Sequence, residues 1–288
     1  MSQTTALVIS PHLDDAAFSC GGTIASLARQ GWRVVLATAF TASVPDPAGF
    51  ALACQLDKGL GPEVDYMALR RDEDLACGRA LGVSEVLWLD LPEAPHRGYG
   101  SPAELFGPMR TEDRIAEPLV DAIQSLIGRY EPAVIFAPQG VGGHVDHRQV
   151  IAAMQDSALT PACPVAWYRD LPYAARFPDA RPDPAVPADQ ADRLVSLAAE
   201  DFAAKLEGCS RYASQVGFQF GGAAEMRRCL SRFAASESER FGMVGSAETL
   251  MISDGVDLLK DGGFHLGCVS VHEIMGTATG GGHQQFLP

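Results

Sequence analysis

The chain has 288 residues, enough to bury a sizeable core in one large domain or two modest ones. Acidic residues outnumber basic ones by 36 to 22, and the formal net charge of −14 should repel nucleic acid and anionic membranes. The sequence has no leader pattern and no run of about 20 apolar residues of the kind that spans a bilayer. We therefore expect a cytoplasmic protein that binds neither nucleic acid nor a membrane.

Short apolar runs alternate with amphipathic stretches through the first 170 residues. Residues 6–10 predict a strand, the stretch after Gly21 and Gly22 predicts a helix ending near Gly31, and residues 34–40 predict a second strand. The same pattern predicts helices over 70–81 and 117–129 and strands over 85–89, 133–137 and 165–168. This alternation is typical of an α/β sandwich around a mostly parallel sheet.

The rest of the chain has a different composition. Prolines crowd residues 177–187 and predict a loop, whereas 191–212 and 223–239 have helical periodicity. Residues 245–288 are rich in glycine, and we expect their end to be mobile.

Two polar clusters each follow a predicted strand, at the position where open α/β sheets bind their ligands. The first cluster is HLDD at 12–15, and the second is HVDH at 144–147, after the glycine-rich turn 140–143. The carboxyl ends of parallel strands meet at one edge of a sheet, so the two clusters can share a metal ion. The sequence therefore predicts a metal site at the C-terminal ends of the strands.

A catalytic zinc ion takes three protein ligands and keeps one position open for water. His12, Asp15 and one histidine of the second cluster meet that need, although spacing alone does not decide which histidine. Asp14 is then free to accept a proton from water, and the other histidine to stabilise an oxyanion. Asp146 is expected to orient a ligating histidine. A pair of aspartates after a strand is also typical of a helix N-cap, so the metal interpretation depends on the two clusters together.

The motifs PHLDD at 11–15 and GGHVDH at 142–147 resemble those of the LmbE-like (PIG-L) family of zinc-dependent N-deacetylases. The resemblance extends to the tracts 69–73, 80–83, 89–92 and 170–174, and so covers about the first 175 residues. It implies a Rossmann-like three-layer sandwich. Family members remove an acetyl group from N-acetylated amino sugars or glycoconjugates, and some cleave amides of thiol conjugates.

At matching positions the resemblance implies a Zn²⁺ ion, or another divalent metal, on His12, Asp15 and His147. It also implies that Asp14 is the general base, that His144 stabilises the oxyanion as an imidazolium, and that Arg70 contacts substrate. The family motif usually reads HPDDE, whereas this chain has Leu13 and Ala16 at the proline and glutamate positions. The ligand positions are thus retained, but the carboxylate at position 16 is missing.

We therefore expect a zinc-dependent N-deacetylase that acts on a small acetamido sugar or glycoside. One alternative is an amidase that acts on thiol-conjugate amides at the same metal. Another is a non-catalytic Rossmann-like nucleotide-binding module, which is disfavoured because the first βα loop has no GxGxxG motif and carries two acids.

We expect one domain over 1–288, with a catalytic core over 1–175 and a helical and irregular extension over 176–288. The oligomeric state stays open, a homo-oligomer included. The loop around His96, Arg97 and Tyr99 could border the substrate, but we interpret it as solvated. The tract around Asp170 and Tyr173 could line the pocket or simply pack a turn.

Overall fold

In the computed structural model, which describes residues 3–156, 159 and 163–253, seven strands form one sheet. The strands are β1 (Thr5–Ser10), β2 (Arg33–Phe40), β3 (Glu85–Leu91), β4 (Val134–Pro138), β5 (Val165–Tyr168), β6 (Gln190–Leu197) and β7 (Ser246–Ser253). Their order across the sheet is β3-β2-β1-β4-β5-β7-β6. The first five are parallel, whereas β7 is antiparallel to both β5 and β6.

Helices connect and cover these strands. They are α1 (Asp15–Arg29), α2 (Gly49–Leu56), α3 (Tyr66–Leu81), α4 (Pro102–Leu105), α5 (Ala116–Tyr130), α6 (Val145–Met154), α7 (Tyr173–Arg176), α8 (Ala199–Cys209), α9 (Ala213–Phe220) and α10 (Ala223–Arg240), with a 3-10 turn over Ala94–Arg97. Among the described residues, no helix combines the length and the apolar character needed to cross a membrane.

The central strands are buried on both faces, which explains why β1 is almost uniformly apolar. Side chains alternate along β1: Ala6 and Val8 belong to a core shared with α1, α3 and α8, whereas Leu7 and Ile9 belong to a second core shared with α5 and α6. Helices therefore pack on both faces of the sheet. The predicted three-layer α/β sandwich is confirmed.

The strand order also determines where a ligand site can form. From β1 the chain continues through β2 to β3 on one side, and later strands β4 and β5 lie on the other side of β1. The loops after β1 and β4 thus leave the same edge of the sheet at the point where the order reverses, the usual ligand site of such sheets. These are the loops that carry the two polar clusters.

The structure differs from the sequence predictions in the second half of the chain. Residues 191–197 belong to β6, not to a helix, because the strand pairs with β7 along its whole length, and this pairing overrides a weak helical preference. Helix α1 begins at Asp15, earlier than predicted, and is interrupted at Cys20, directly before Gly21 and Gly22. The predicted mobile end, 254–288, lies outside the described residues.

Candidate metal centre

Three of the predicted side chains converge where β1 and β4 end. His12 lies in the loop after β1, Asp15 is the first residue of α1, and His147 lies in the first turn of α6. The Nδ1 atom of His12 is 3.0 Å from Oδ2 of Asp15, and the Nε2 atom of His147 is 3.1 Å from the same oxygen. Two imidazoles thus direct one nitrogen each towards a single carboxylate oxygen.

The other nitrogen of each imidazole faces a second carboxylate. His12 Nε2 lies 2.9 Å from Oδ2 of Asp146, and His147 Nδ1 lies 2.6 Å from Oδ1 of Asp170. Histidines that bind metals commonly use their second nitrogen in this way, because the carboxylate fixes the ring and its tautomer. Both rings are therefore oriented with His12 Nδ1 and His147 Nε2 towards the same point.

The donor atoms at this point fit a metal ion. His147 Nε2 is buried, and its contact with Asp15 lacks hydrogen-bond geometry, so this nitrogen has no hydrogen-bond partner among the residues that the structure describes. Two imidazole nitrogens and a carboxylate oxygen are the ligands that a catalytic zinc site uses. A second set of three metal ligands also fits the distances. His12, His144 and His147 each offer one nitrogen, and these three nitrogens lie within 4.8 Å of one another.

The charges of the side chains agree with a cation at this point. Burial opposes the charge on His12, but its hydrogen bonds to Asp146 and Asp15 outweigh burial and raise its pKa to about 9. Burial also opposes the charge on His147, and Asp15 and Asp170 raise its pKa well above the usual value. The carboxylates thus favour positive charge at this point. Protons on the two histidines supply that charge in this structure, and a bound divalent ion would replace them.

His144 has a different environment. It is the N-cap of α6, and its Nδ1 accepts a hydrogen bond from the Asp146 amide at 3.2 Å. Burial, aided by the positive charge of His12, lowers the pKa of His144 to about 3. In this structure the ring is therefore a neutral imidazole that carries its proton on Nε2, whereas the family resemblance implies an imidazolium.

Asp14 precedes α1 at the N-cap position, yet its side chain makes no capping hydrogen bond. The N-cap interpretation of this aspartate is therefore wrong. Its φ of 155° and ψ of −30° are a combination that L-residues rarely adopt, a form of strain that concentrates at functional sites. Burial, together with the charge of Asp15, raises the pKa of Asp14 to about 7.

Arg70 lies on α3 beside Asp14. Its Nη2 is 3.9 Å from Oδ1 of Asp14, and its Nη1 is 2.6 Å from Oε1 of Glu93. Arg70 and Asp14, together with His12 and His144, line one cavity of about 230 Å³. Arg70 therefore lies in the wall of the cavity that contains the two clusters.

Sequence reasoning missed several residues behind this cavity. Arg97 has a side chain only 7% exposed, and Tyr99 is fully buried, so the prediction of a solvated loop is wrong for both. Asp170 does more than pack a turn: besides contacting His147, it accepts a hydrogen bond from the Val141 amide at 2.9 Å. Arg97 shows no regular spacing from the two motifs, so the sequence carries no signal for it, whereas Asp170 is the first residue of the tract 170–174 that the family resemblance includes.

The turn after β4 needs its glycines. Gly142 has a φ of +95°, and a Cβ atom there would lie 2.7 Å from the Tyr173 ring. Leu13 and Ala16, the two departures from the usual family motif, are both buried in the apolar core. Neither side chain carries a donor atom for a metal ion.

Comparisons with known proteins decide the family. A sequence model of the family described as PIG-L, GlcNAc-PI de-N-acetylase, matches residues 7–158, more than half of the chain. The chain belongs to the PIG-L family. Its family segment contains both polar clusters, Arg70 and Arg97.

This PIG-L family protein is similar to two curated 2′-N-acetylparomamine deacetylases. It is 35% identical to the one from Streptomyces fradiae over 171 residues, which cover 59% of this chain and 58% of that protein. It is 29% identical to the one from Niallia circulans over 187 residues, covering 58% of this chain and 66% of that protein. The matched segments thus span less than two thirds of either relative.

Among solved structures, the chain is similar to a deacetylase of teicoplanin biosynthesis in complex with bog. The TM-score is 0.72 at 28% identity, with 88% of this chain and 100% of that chain covered. The zinc-inhibited form of the teicoplanin deacetylase Orf2 has a TM-score of 0.71 at 26% identity over the same shares. The PIG-L family protein therefore has the fold of these deacetylases well beyond its family segment.

Proposed function

We propose that this protein is a metal-dependent N-deacetylase that removes the acetyl group from an acetamido sugar or glycoconjugate. The observation that carries the proposal is the convergence of His12 Nδ1 and His147 Nε2 on one oxygen of Asp15, at 3.0 and 3.1 Å. Support comes from the similar proteins, which include a 2′-N-acetylparomamine deacetylase and a teicoplanin deacetylase.

In this proposal, His12, Asp15 and His147 hold a divalent metal, with zinc the best fit to two nitrogens and one carboxylate. We favour Asp15 over His144 as the third ligand, because Nδ1 of His144 already accepts the Asp146 amide hydrogen bond. A zinc ion bound by three such ligands lowers the pKa of water and polarises an amide carbonyl.

The other side chains then have separate tasks. Asp14 accepts the proton of the attacking water, since its carboxyl group has a pKa near 7 and no capping bond to break. Neutral His144 donates its Nε2 proton as a hydrogen bond to the developing oxyanion. Arg70, held by Glu93 beside Asp14, contacts the substrate in the cavity.

The test combines metal analysis with an acetate-release assay. We expect the purified protein to hold about one divalent ion per chain and to release acetate from an N-acetylated amino sugar. Asp15→Ala and His147→Ala should lose both properties, whereas His96→Ala is the control histidine outside this cavity and should keep both.

Two results would overturn the proposal: wild-type protein without stoichiometric metal, or ligand variants that keep the wild-type metal content. A thiol-conjugate amide in the same assay tests the alternative substrate. Faster hydrolysis of that amide than of any acetamido sugar would assign the centre to the amidase reaction instead.

A further inference from the structure

A row of alternately cationic and aromatic side chains runs along one wall of the cavity that contains Asp14. The guanidinium carbon of Arg70 lies 5.1 Å from the centre of the Tyr66 ring, and the ammonium of Lys58 lies 5.4 Å from the same ring. The Lys58 ammonium is also 4.7 Å from the centre of the Phe218 ring. These four residues, which we call the cation–aromatic row, all line the cavity.

The row leads from the reacting end of the cavity to solvent. At its inner end Arg70 lies 3.9 Å from Asp14, and at its outer end Phe218 is 56% exposed. Three separate elements build it: α3, the turn after α2, and α9. An exposed aromatic ring at the mouth of a cavity is a typical contact surface for a ligand.

The two cations of the row differ in how their charge is neutralised. Arg70 forms an ion pair with Glu93, whereas Lys58 hydrogen-bonds the carbonyl oxygen of Cys54 at 2.8 Å and forms no ion pair with any described residue. Burial and the charge of Arg70 lower the pKa of Lys58, while Glu93 and Asp14 oppose that shift. Asp57 also lines the cavity but is exposed, so solvent screens its charge.

We propose that the cation–aromatic row is a subsite for the group joined to the acetamido sugar, and that this group is an uncharged or anionic aromatic ring. The inference rests on the proposed deacetylation, whose reacting centre lies at the inner end of the row. An aryl group stacks on Phe218 and accepts polar contacts from Lys58. A cationic aminocyclitol instead brings like charge to the Lys58 ammonium, which has no ion-pair partner in the described part of the chain.

The experiment compares three substrates: N-acetylglucosamine, its 4-nitrophenyl glycoside, and an N-acetylated aminocyclitol glycoside. We expect wild-type kcat/KM to be about 10-fold higher for the aryl glycoside than for the aminocyclitol glycoside. Phe218→Ala should lower kcat/KM for the aryl glycoside about 10-fold more than for N-acetylglucosamine, which is the size expected for the loss of one stacked ring. Phe177→Ala is the matched control, because Phe177 is 58% exposed and lies outside the cavity.

The role of Lys58 is tested by substitutions that change the charge of its side chain. Lys58→Glu should shift the preference by at least about 10-fold towards the cationic glycoside, and Lys58→Met should give an intermediate ratio. The proposed subsite is wrong if wild type prefers the aminocyclitol glycoside, or if Phe218→Ala lowers all three kcat/KM values equally.

Binding of the aryl glycoside, measured by calorimetry, separates this subsite from the catalytic proposal. One outcome is that wild type binds the aryl glycoside without releasing acetate, and that Phe218→Ala weakens this binding. That outcome supports the proposed subsite and overturns the deacetylation. The opposite outcome is that wild type releases acetate, but neither Phe218→Ala nor Lys58→Glu changes the ratios of kcat/KM among the three substrates. That outcome supports the deacetylation and overturns the proposed subsite.

Discussion

Arg97 lies behind the proposed metal ligands and acts on them through Asp146. Its Nη2 is 2.8 Å from Oδ1 of Asp146, whose Oδ2 lies 2.9 Å from Nε2 of His12. The guanidinium also hydrogen-bonds Asp113, Nε to Oδ1 at 3.1 Å, and its carbon lies 5.0 Å from the centre of the Phe40 ring. These contacts hold the Arg97 guanidinium in place, and it in turn holds the carboxylate of Asp146, which orients His12.

Arg97→Met is therefore expected to weaken metal binding. The variant leaves Asp146 free to rotate, and loss of such an outer partner typically costs about 10- to 100-fold in metal affinity. Competition with a chromophoric chelator measures this affinity, and the absorption spectrum of a Co²⁺-loaded sample reports the ligand geometry. Arg97→Lys should recover only part of the affinity, because one ammonium cannot hold both Asp146 and Asp113.

Arg110→Met is the control for this loop. The Arg110 side chain is 43% exposed and pairs with Glu104 at 3.6 Å, away from the two clusters. Wild-type affinity in Arg97→Met, or an equal loss in Arg110→Met, would remove Arg97 from its positioning role.

Asp14→Asn is expected to keep the metal and lose turnover. Asparagine has the size of aspartate but cannot accept the proton of water, and loss of a general base typically costs about 10²- to 10⁴-fold in kcat. Metal content measured on the same preparation shows that the ligands are intact, and a KM close to wild type shows that the cavity is intact. Turnover retained at the wild-type level would assign the proton transfer to another group.

Asp74 is expected to make stability depend on pH, away from the metal centre. It is buried and accepts hydrogen bonds from the Tyr212 hydroxyl at 2.6 Å and from Trp88 Nε1 at 3.1 Å. Burial raises its pKa to about 6, above the value of about 3.9 for an unfolded aspartate. Between these two values the folded protein keeps a proton that the unfolded chain releases, so stability falls as the pH rises through this window.

Asp74→Asn removes this titration. Urea unfolding at pH values from 4 to 7 should show the difference in unfolding free energy, wild type minus variant, falling by about 2 kcal/mol as the pH rises. A pH-independent difference would mean that Asp74 titrates normally in the folded protein.

Much of the fold and of the candidate site could be predicted, because both depend on local patterns. Apolar runs such as 6–10 and 34–40 identify buried strands, and the positions of the two clusters after strands bring His12 and His147 to one sheet edge. Strand β6 could not be predicted, since its state depends on pairing with β7, which lies about 50 residues further along the chain. Arg97 likewise gains its role from contacts that only the folded chain creates.

The described part of the extension supports the helix that begins with Asp15. Glu248 of β7 accepts hydrogen bonds from the amides of Gly22 and Thr23 at 3.0 and 2.7 Å, directly after the interruption of α1. Lys205 of α8 pairs with Glu248 at 2.6 Å and donates to the carbonyl of Ser19 at 3.2 Å. We propose from these contacts that residues 1–175 and the extension fold as one domain.

Lys205→Met should therefore destabilise the whole protein, because it leaves the buried carboxylate of Glu248 without its cation. Removing one partner of a buried pair typically costs about 3–5 kcal/mol. The double variant Lys205→Met/Glu248→Gln should recover part of this loss, since it removes the buried unpaired charge, although the single amide oxygen of glutamine keeps only one of the two hydrogen bonds from the amides of α1. Chemical unfolding followed by far-UV circular dichroism and tryptophan fluorescence measures both effects.

The exposed pair Arg211 and Glu207 provides the control. Both side chains are about half exposed, so Arg211→Met should cost less than about 1 kcal/mol. If the two domain parts fold together, Lys205→Met shifts both spectroscopic transitions equally, because loss of the α8 contact destabilises α1 and the sheet at once. A separate early transition that leaves the core folded would show instead that the extension is an independent unit.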